Sequence, residues 1–188
     1  MGIISKSELQ WHSISMLKAR RDFSERHAAH AQNTVFLSHK HSDKTEVKFA
    51  RDLLYSLGAD VYIDWLDPDM PIKTRGETAI IIKEKIIKNN KFILLATDAA
   101  IESQWCNWEL GYGDAQKLGS NKLTLFPLKE DNRHWSGNEY MQLYHTIEYE
   151  NGNNKYSNGK TIPEGYYVFS PSKNGSRNLV SLKQWIES

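Results

Sequence analysis

Thr34 to Asp64, TVFLSHKHSDKTEVKFARDLLYSLGADVYID, holds a strand, a helix and a second strand in direct succession. Thr34–Ser38 is a short apolar run of the kind that forms a strand buried on both faces. A polar loop, His39–Asp43, follows at once. Asp43 with Glu46 three residues on predicts a capping box at a helix start. Val47, Ala50, Leu53, Leu54 and Leu57 then recur at helical spacing, and Gly58 ends the helix. Val61 and Ile63 lie on a second strand that runs out at Asp64 and Trp65. A strand, a helix of this length and another strand predict a parallel pair joined by a crossover.

The pattern repeats toward the C-terminus. After the loop Leu66–Pro71, stiffened by Pro68 and Pro71 and turning basic at Lys73 and Arg75, Thr74 and Glu77 predict a second capping box. An isoleucine-rich helix follows (Ile80 to Ile82, Ile86, Ile87) and closes at Asn89-Asn90. Phe92–Ala96 is a third strand, a helix opens at Ser103, and Lys122–Phe126 is a fourth strand. Beyond Leu128 the reading is less regular: a helix over Asn138–Ile147, a last strand at Tyr166–Phe169, and a closing helix opened by Ser181. The expected class is α/β, a parallel sheet with helices on both faces. Residues 1–33 read as an N-terminal helical extension with Trp11, Ile14 and Leu17 on its apolar stripe, suited to docking or self-association. Residues 34–188 form the domain, with a polar insertion at about 131–160.

Composition narrows the function classes. A formal net charge of +1 gives no electrostatic case for nucleic acid or an anionic membrane. One cysteine, Cys106, rules out an internal disulfide and fits a reducing, cytoplasmic setting. No apolar run approaches the ~20 residues of a membrane span. Neither a G-x-G-x-x-G nor a Walker motif is present, which disfavours a dinucleotide dehydrogenase or a P-loop NTPase. Asn174-Gly175-Ser176 matches a glycosylation acceptor, without meaning in the cytosol.

In such sheets ligands bind beyond the carboxyl ends of the strands. Three features converge there: the Ser38–Asp43 loop, the pair Asp64 and Trp65, and the helix Ser103–Gly113, SQWCNWELGYG. Ser103 is a natural cap. Glu109 shares a helix face with Trp105 and Cys106, has no Lys or Arg one turn away, and faces the side-chain-free Gly113. An unneutralised carboxylate beside an aromatic wall and an open space is costly to desolvate, which points to chemistry rather than stability. The alternative is a surface helix with Glu109 in water and the tryptophans in the core. Trp108, on another face, is expected in the core. Ser38 either caps the strand end or binds a ligand, and Asp64 either braces its loop or holds a ligand. His39 and His41 form a poor zinc site without a third ligand nearby in sequence, so no metal is expected.

The ordered set FLSHKHSD, GADVYIDW and SQWCNWELG resembles the Toll/interleukin-1 receptor (TIR) domain over roughly residues 34–127. The resemblance implies a flavodoxin-like fold, with residues 65–76 in the place of the family's BB loop. The Trp105–Glu109 spacing is that of the NAD-cleaving members, in which the glutamate is catalytic. It implies Glu109 as the catalytic residue and Ser38, His39, Lys40, Asp64 and Trp105 as substrate-binding residues. NAD is then the substrate, and no cofactor is required. A compact TIR chain is similar to the component of Thoeris-like anti-phage systems that makes an ADP-ribose-derived, possibly cyclic, signal for a separate effector protein. Self-association through the 65–76 loop is a further expectation. Other members of the family only assemble with one another, and a non-catalytic interaction module is the rival reading.

Overall fold

The computed structural model describes residues 1–21, 33–71, 76–171 and 177–188. A seven-stranded sheet forms its centre, with strands β1 (Thr34–Ser38), β2 (Asp60–Tyr62), β3 (Lys91–Ala96), β4 (Leu123–Pro127), β5 (His145–Glu150), β6 (Gly165–Phe169) and β7 (Leu179–Ser181). Their spatial order is β2-β1-β3-β4-β5-β6-β7. The first five run parallel, and β6 and β7 add an antiparallel edge. Six helices flank the sheet: α1 (Lys6–Arg21), α2 (Lys44–Ser56), α3 (Gly76–Lys88), α4 (Asp98–Ile101), α5 (Gln104–Lys117) and α6 (Leu182–Glu187). Among the described residues no helix is long and apolar enough to cross a membrane.

The period-two alternation of the strands feeds two cores. Val35, Leu37, Ile93 and Leu95 face the side that also buries Leu9, Val47, Leu53, Leu54 and Trp185 from α1, α2 and α6. Phe36, Phe92, Leu94 and Ala96 face the other side, where Ile82 and Ile86 of α3 and Cys106 and Leu110 of α5 pack. Ser38 lies two residues after Phe36, so the pleat turns it toward α5. From β1 the chain passes through α2 to β2 on one side, then through α3 to β3 on the other. This reversal beside β1 opens a crevice at the carboxyl ends of β1 and β3, the place where such sheets take ligands.

Several local expectations change. The stretch Asn138–Ile147 is not a helix: one 3-10 turn, Glu139–Leu143, leads into β5, which adds to the sheet beside β4. The span 131–160 therefore contains a structural strand. Polar residues hide it, because β5 meets water along part of its length. On α1 the buried positions are Leu9 and Ser13, with Met16 packed beside them, while Trp11 and Ile14 face away. A stripe picked by hydrophobicity alone misses the small Ser13 that lets α1 sit close to its neighbours. The Asp43–Glu46 capping box does not form: Asp43 occupies the cap position without a side-chain cap bond, and Glu46 reaches Lys6 at 3.3 Å. Gly58 does end α2, in the left-handed region at φ 99°. The expected Thr74–Glu77 box, Lys73, Arg75, residues 22–31 of the extension and the Asn174 acceptor lie outside the described residues.

Candidate active site

α5 opens as its sequence demands, with the Ser103 hydroxyl accepting the Cys106 N–H at 3.4 Å. Five residues into the helix stands Glu109, only 3% exposed. The space beside it is not empty. The Phe92 ring lies against Gly113, where a Cβ would come within 3.0 Å of it. Gly113 thus permits close packing of α5 on β3 rather than leaving a void beside the carboxylate.

The partner of Glu109 comes from β1. The Ser38 hydroxyl donates to Glu109 Oε2 at 2.5 Å, across 71 residues of sequence. Burial drives the Glu109 carboxyl up to about 7. The Ser38 hydrogen bond opposes that rise, nearby Asp64 adds to it, and His39 and the Trp105 indole lower it somewhat. The acid is therefore poised close to half ionisation at neutral pH, rather than fully ionised.

His39 is buried beside Ser38. Its Nδ1–H donates to the Leu37 carbonyl at 2.8 Å, which turns Nε2 toward Asp64 Oδ1 at 3.3 Å. That approach is not an aligned hydrogen bond, and Nε2 is one of two buried side-chain polar atoms without a hydrogen-bond partner among the described residues. Asp64 starts a 3-10 turn after β2, and its Oδ1 also accepts the Trp65 N–H at 2.7 Å. Burial pushes the Asp64 carboxyl up, but the close His39 ring, with the Trp65 N–H, outweighs it and holds the group below its ordinary value. The Trp65 ring stands edge-on to both His39 and His41.

His39, Lys40, Asp64 and Trp105 line one cavity of about 540 Å3, together with His41 and Cys106. Ser38 and Glu109 lie behind this wall, joined to each other. The structure thus brings the six residues singled out in sequence to one strand edge, in two layers. Burial pushes the Cys106 thiol up to about 11, which leaves it a poor nucleophile. Trp108 is packed against the core but only half-buried, 5.0 Å from Trp105 and stacked toward Tyr112, with the Lys83 ammonium over the Trp108 and Tyr112 rings. The histidine pair also gains a third donor that no local spacing reveals: ligand atoms of His39, His41 and Asp64 all lie within 4.8 Å of one another.

Two supports were not legible in the sequence. Thr97 at the end of β3 donates from its hydroxyl to the buried Asp43 carboxylate at 2.5 Å, tying the His39–Asp43 loop to the neighbouring strand. The carboxylate that would have capped α2 is recruited by this bond. Asp67 gathers the Lys85 ammonium at 2.5 Å and the Tyr62 hydroxyl at 2.7 Å, which hold its carboxyl down to about 2 and fix the loop after β2 to α3. The local Asp67-Pro68-Asp69 turn was the one signal for it, since the Asp69 N–H bonds back to Asp67.

Comparison with known proteins agrees with this arrangement. A family model described as TIR domain matches residues 35–159. The chain is 26% identical over 161 residues to a protein of Bacillus cereus (strain MSX-D12) named "Probable 3' cyclic ADP-D-ribose synthase ThsB'", covering 77% of this chain and 82% of that protein. It is 28% identical over 95 residues to a protein of Cytobacillus dafuensis named "Putative cyclic ADP-D-ribose synthase TIR2", covering 49% of this chain and 24% of that longer protein. With the family model spanning most of its length and the sheet order built around the same segment, the chain belongs to the TIR domain family.

Proposed function

We propose that this chain cleaves the nicotinamide–ribose bond of NAD and makes an ADP-ribose-derived, cyclic signal, with Glu109 as the catalytic residue. One observation carries the reading: a buried glutamate with no cationic side chain bonded to it among the described residues, held by a serine hydroxyl at the crevice where this sheet takes ligands. The names of the two relatives support the same substrate and product class.

The bond to be broken joins ribose C1′ to a pyridinium nitrogen. Its electron pair leaves with the nicotinamide, which departs neutral, and positive charge builds on C1′ in an oxocarbenium-like transition state. An ionised Glu109 stabilises that charge and accepts hydrogen bonds from the ribose hydroxyls. Ser38 holds the carboxylate in place. Trp105 offers a flat face to the nicotinamide or ribose. Lys40, half-buried in the cavity wall, suits the diphosphate, and His39 and Asp64 suit the adjoining ribose. Capture of C1′ by a nucleophilic atom of the same molecule gives a cyclic product, and capture by water gives ADP-ribose. The leaving group is already activated by its own positive charge, so no cofactor is invoked.

The cavity is open at the strand ends. Closure by a second protomer over the 65–76 loop would exclude water and favour the cyclic product. The product then serves a separate effector protein in anti-phage defence, and the chain acts in the cytoplasm. The test is chromatography of NAD incubated with purified protein at high concentration, beside Glu109→Gln. Nicotinamide and a cyclic ADP-ribose isomer are expected with the wild type alone. Intact NAD in both samples, with the protein folded and assembled, would leave the chain an interaction module.

A further inference from the structure

We infer that His39, His41 and Asp64 form a binding site for a divalent transition-metal ion of the zinc class on the wall of the cavity. In a tetrahedral zinc site each nitrogen or oxygen ligand lies about 2.0–2.1 Å from the ion, so two ligand atoms stand roughly 3.3 Å apart. His39 Nε2 and Asp64 Oδ1 stand 3.3 Å apart. They hold this separation without an aligned hydrogen bond between them; Nε2 is buried and unpartnered among the described residues, while the Asp64 carboxylate is partly exposed at the cavity.

The surroundings prepare both atoms. The His39 ring donates its other nitrogen, Nδ1–H, to the Leu37 carbonyl, the second-shell arrangement that orients metal-binding histidines, and this aims Nε2 at Asp64. The Asp64 carboxylate is oriented by the Trp65 N–H. His41 supplies the third donor from the exposed turn after β1, within 4.8 Å of the others. A movement of roughly 1–2 Å in that exposed side chain closes the set to ligand spacing. Two imidazoles and one carboxylate suit zinc, nickel or copper, whereas magnesium and calcium prefer all-oxygen sites. Three protein ligands leave a fourth position for water or an anion, facing the cavity.

A consequence rests on the proposed NAD cleavage: His39 and Asp64 are among the groups offered to the nucleotide, so the ion and NAD compete, and the metal inhibits. His41 is the one ligand of the three not offered to the nucleotide, so inhibition of each protein is judged against its own metal-free turnover.

The experiment uses the full chain, freed of any affinity tag and stripped with a chelator. Co2+ is titrated while its visible d–d absorption is followed, and Zn2+ is then added to displace it. One equivalent of tetrahedral-type absorption, bleached by one equivalent of Zn2+ and not by Mg2+, is expected. His41→Ala and Asp64→Asn should each weaken binding at least tenfold, with His134→Ala as an unaffected control. Absence of saturable binding, or binding indifferent to both variants, overturns the site. Inhibition is read separately: Zn2+ should suppress NAD cleavage by the wild type and spare His41→Ala. Equal suppression of both overturns the competition, and a wild type that binds Co2+ but never cleaves NAD contradicts the enzymatic reading while leaving the site in place.

Discussion

Replacing Glu109 by glutamine keeps shape and one hydrogen-bonding oxygen but removes a group that titrates differently in the folded and unfolded chains. Burial raises its carboxyl from an ordinary value of 4.5 to about 7. Between these values the folded chain holds a proton that the unfolded chain has lost, so stability falls as pH rises through this window. It is fully present below about 4.5 and levels off above about 7. At ~1.4 kcal/mol per pH unit the whole effect is about 3 kcal/mol. The amide lacks it. Glu109→Gln should therefore gain on the wild type by less than about 1 kcal/mol at pH 5 and by about 3 kcal/mol at pH 8, relative to their difference in acid. Urea unfolding of both proteins at several pH values measures this, and all other titrating groups cancel in the difference. The slope of the gap against pH is the test, because a constant offset between acid and amide does not affect it. A gap that stays constant, or closes as pH rises, would refute the buried, half-ionised glutamate. The same variant should lose NAD cleavage altogether while remaining folded.

Removing the Ser38 hydroxyl takes away a hydrogen bond to a charged group, worth about 1.5–3 kcal/mol, so Ser38→Ala should move the rising limb of kcat/KM up from near 7 by roughly 1–2 pH units. A limb that stays put while KM alone rises would assign Ser38 to the substrate only. Trp105→Ala and Trp108→Ala should each cost less than the ~3–5 kcal/mol of a fully buried aromatic deletion, since both rings are half-buried and lean on each other, and only the first should lower turnover; denaturation and NAD loss measured side by side decide it. Thr97→Val leaves the buried Asp43 carboxylate without its donor just after β3, and α4 without its cap, and should lower stability by about 1–3 kcal/mol while raising KM, so an unchanged urea midpoint would dismiss that tie. Specific activity should rise with protein concentration if a second protomer closes the cavity, and a flat response from a protein that light scattering shows to be monomeric would sink the assembly idea.

The parallel half of the sheet was legible because its strands are buried on both faces and read as unbroken apolar runs, with glycine, proline and serine marking their ends. β5 escaped because, although it lies between β4 and β6, its side chains are only partly buried and many of them are polar, and β7, a three-residue edge strand, has no period to detect. The helices between the parallel strands were placed well, unlike the one expected over Asn138–Ile147, but buried faces were not always. Hydrophobicity puts Trp11 on the buried stripe of α1, whereas the strand order and the neighbouring helix decide that Leu9 and Ser13 pack there. In the site, residue types at strand ends were readable and their pairings were not. Ser38 and Glu109, His39 and Asp64, and Thr97 and Asp43 are each joined by the sheet order rather than by any local spacing. Gly113 shows the limit most plainly: the missing side chain was visible, but only the packing of β3 shows that Phe92 fills the space.

The burial that unsettles Glu109 also gives it a response to its substrate. In the free chain the Ser38 hydroxyl, with smaller help from His39 and the Trp105 indole, does not offset burial, and the carboxyl is held up to about 7. The nicotinamide ring of NAD carries a fixed positive charge. Placed against Trp105, one turn away on the same helix face, that charge favours the ionised form and draws the proton off. During cleavage the charge passes from the ring to ribose C1′, so the carboxylate remains matched to a cation through the transition state. Once nicotinamide has left neutral and C1′ has been captured, the substrate's own cation is gone, and the carboxyl rises again. Ionisation of Glu109 is thus coupled to occupancy by a cationic substrate. The pH dependence of kcat should accordingly lie below that of kcat/KM, because the former reports the substrate complex and the latter the free chain. Coincident profiles would show that the ring's charge does not reach Glu109, and would require another cation to accompany the carboxylate through the reaction.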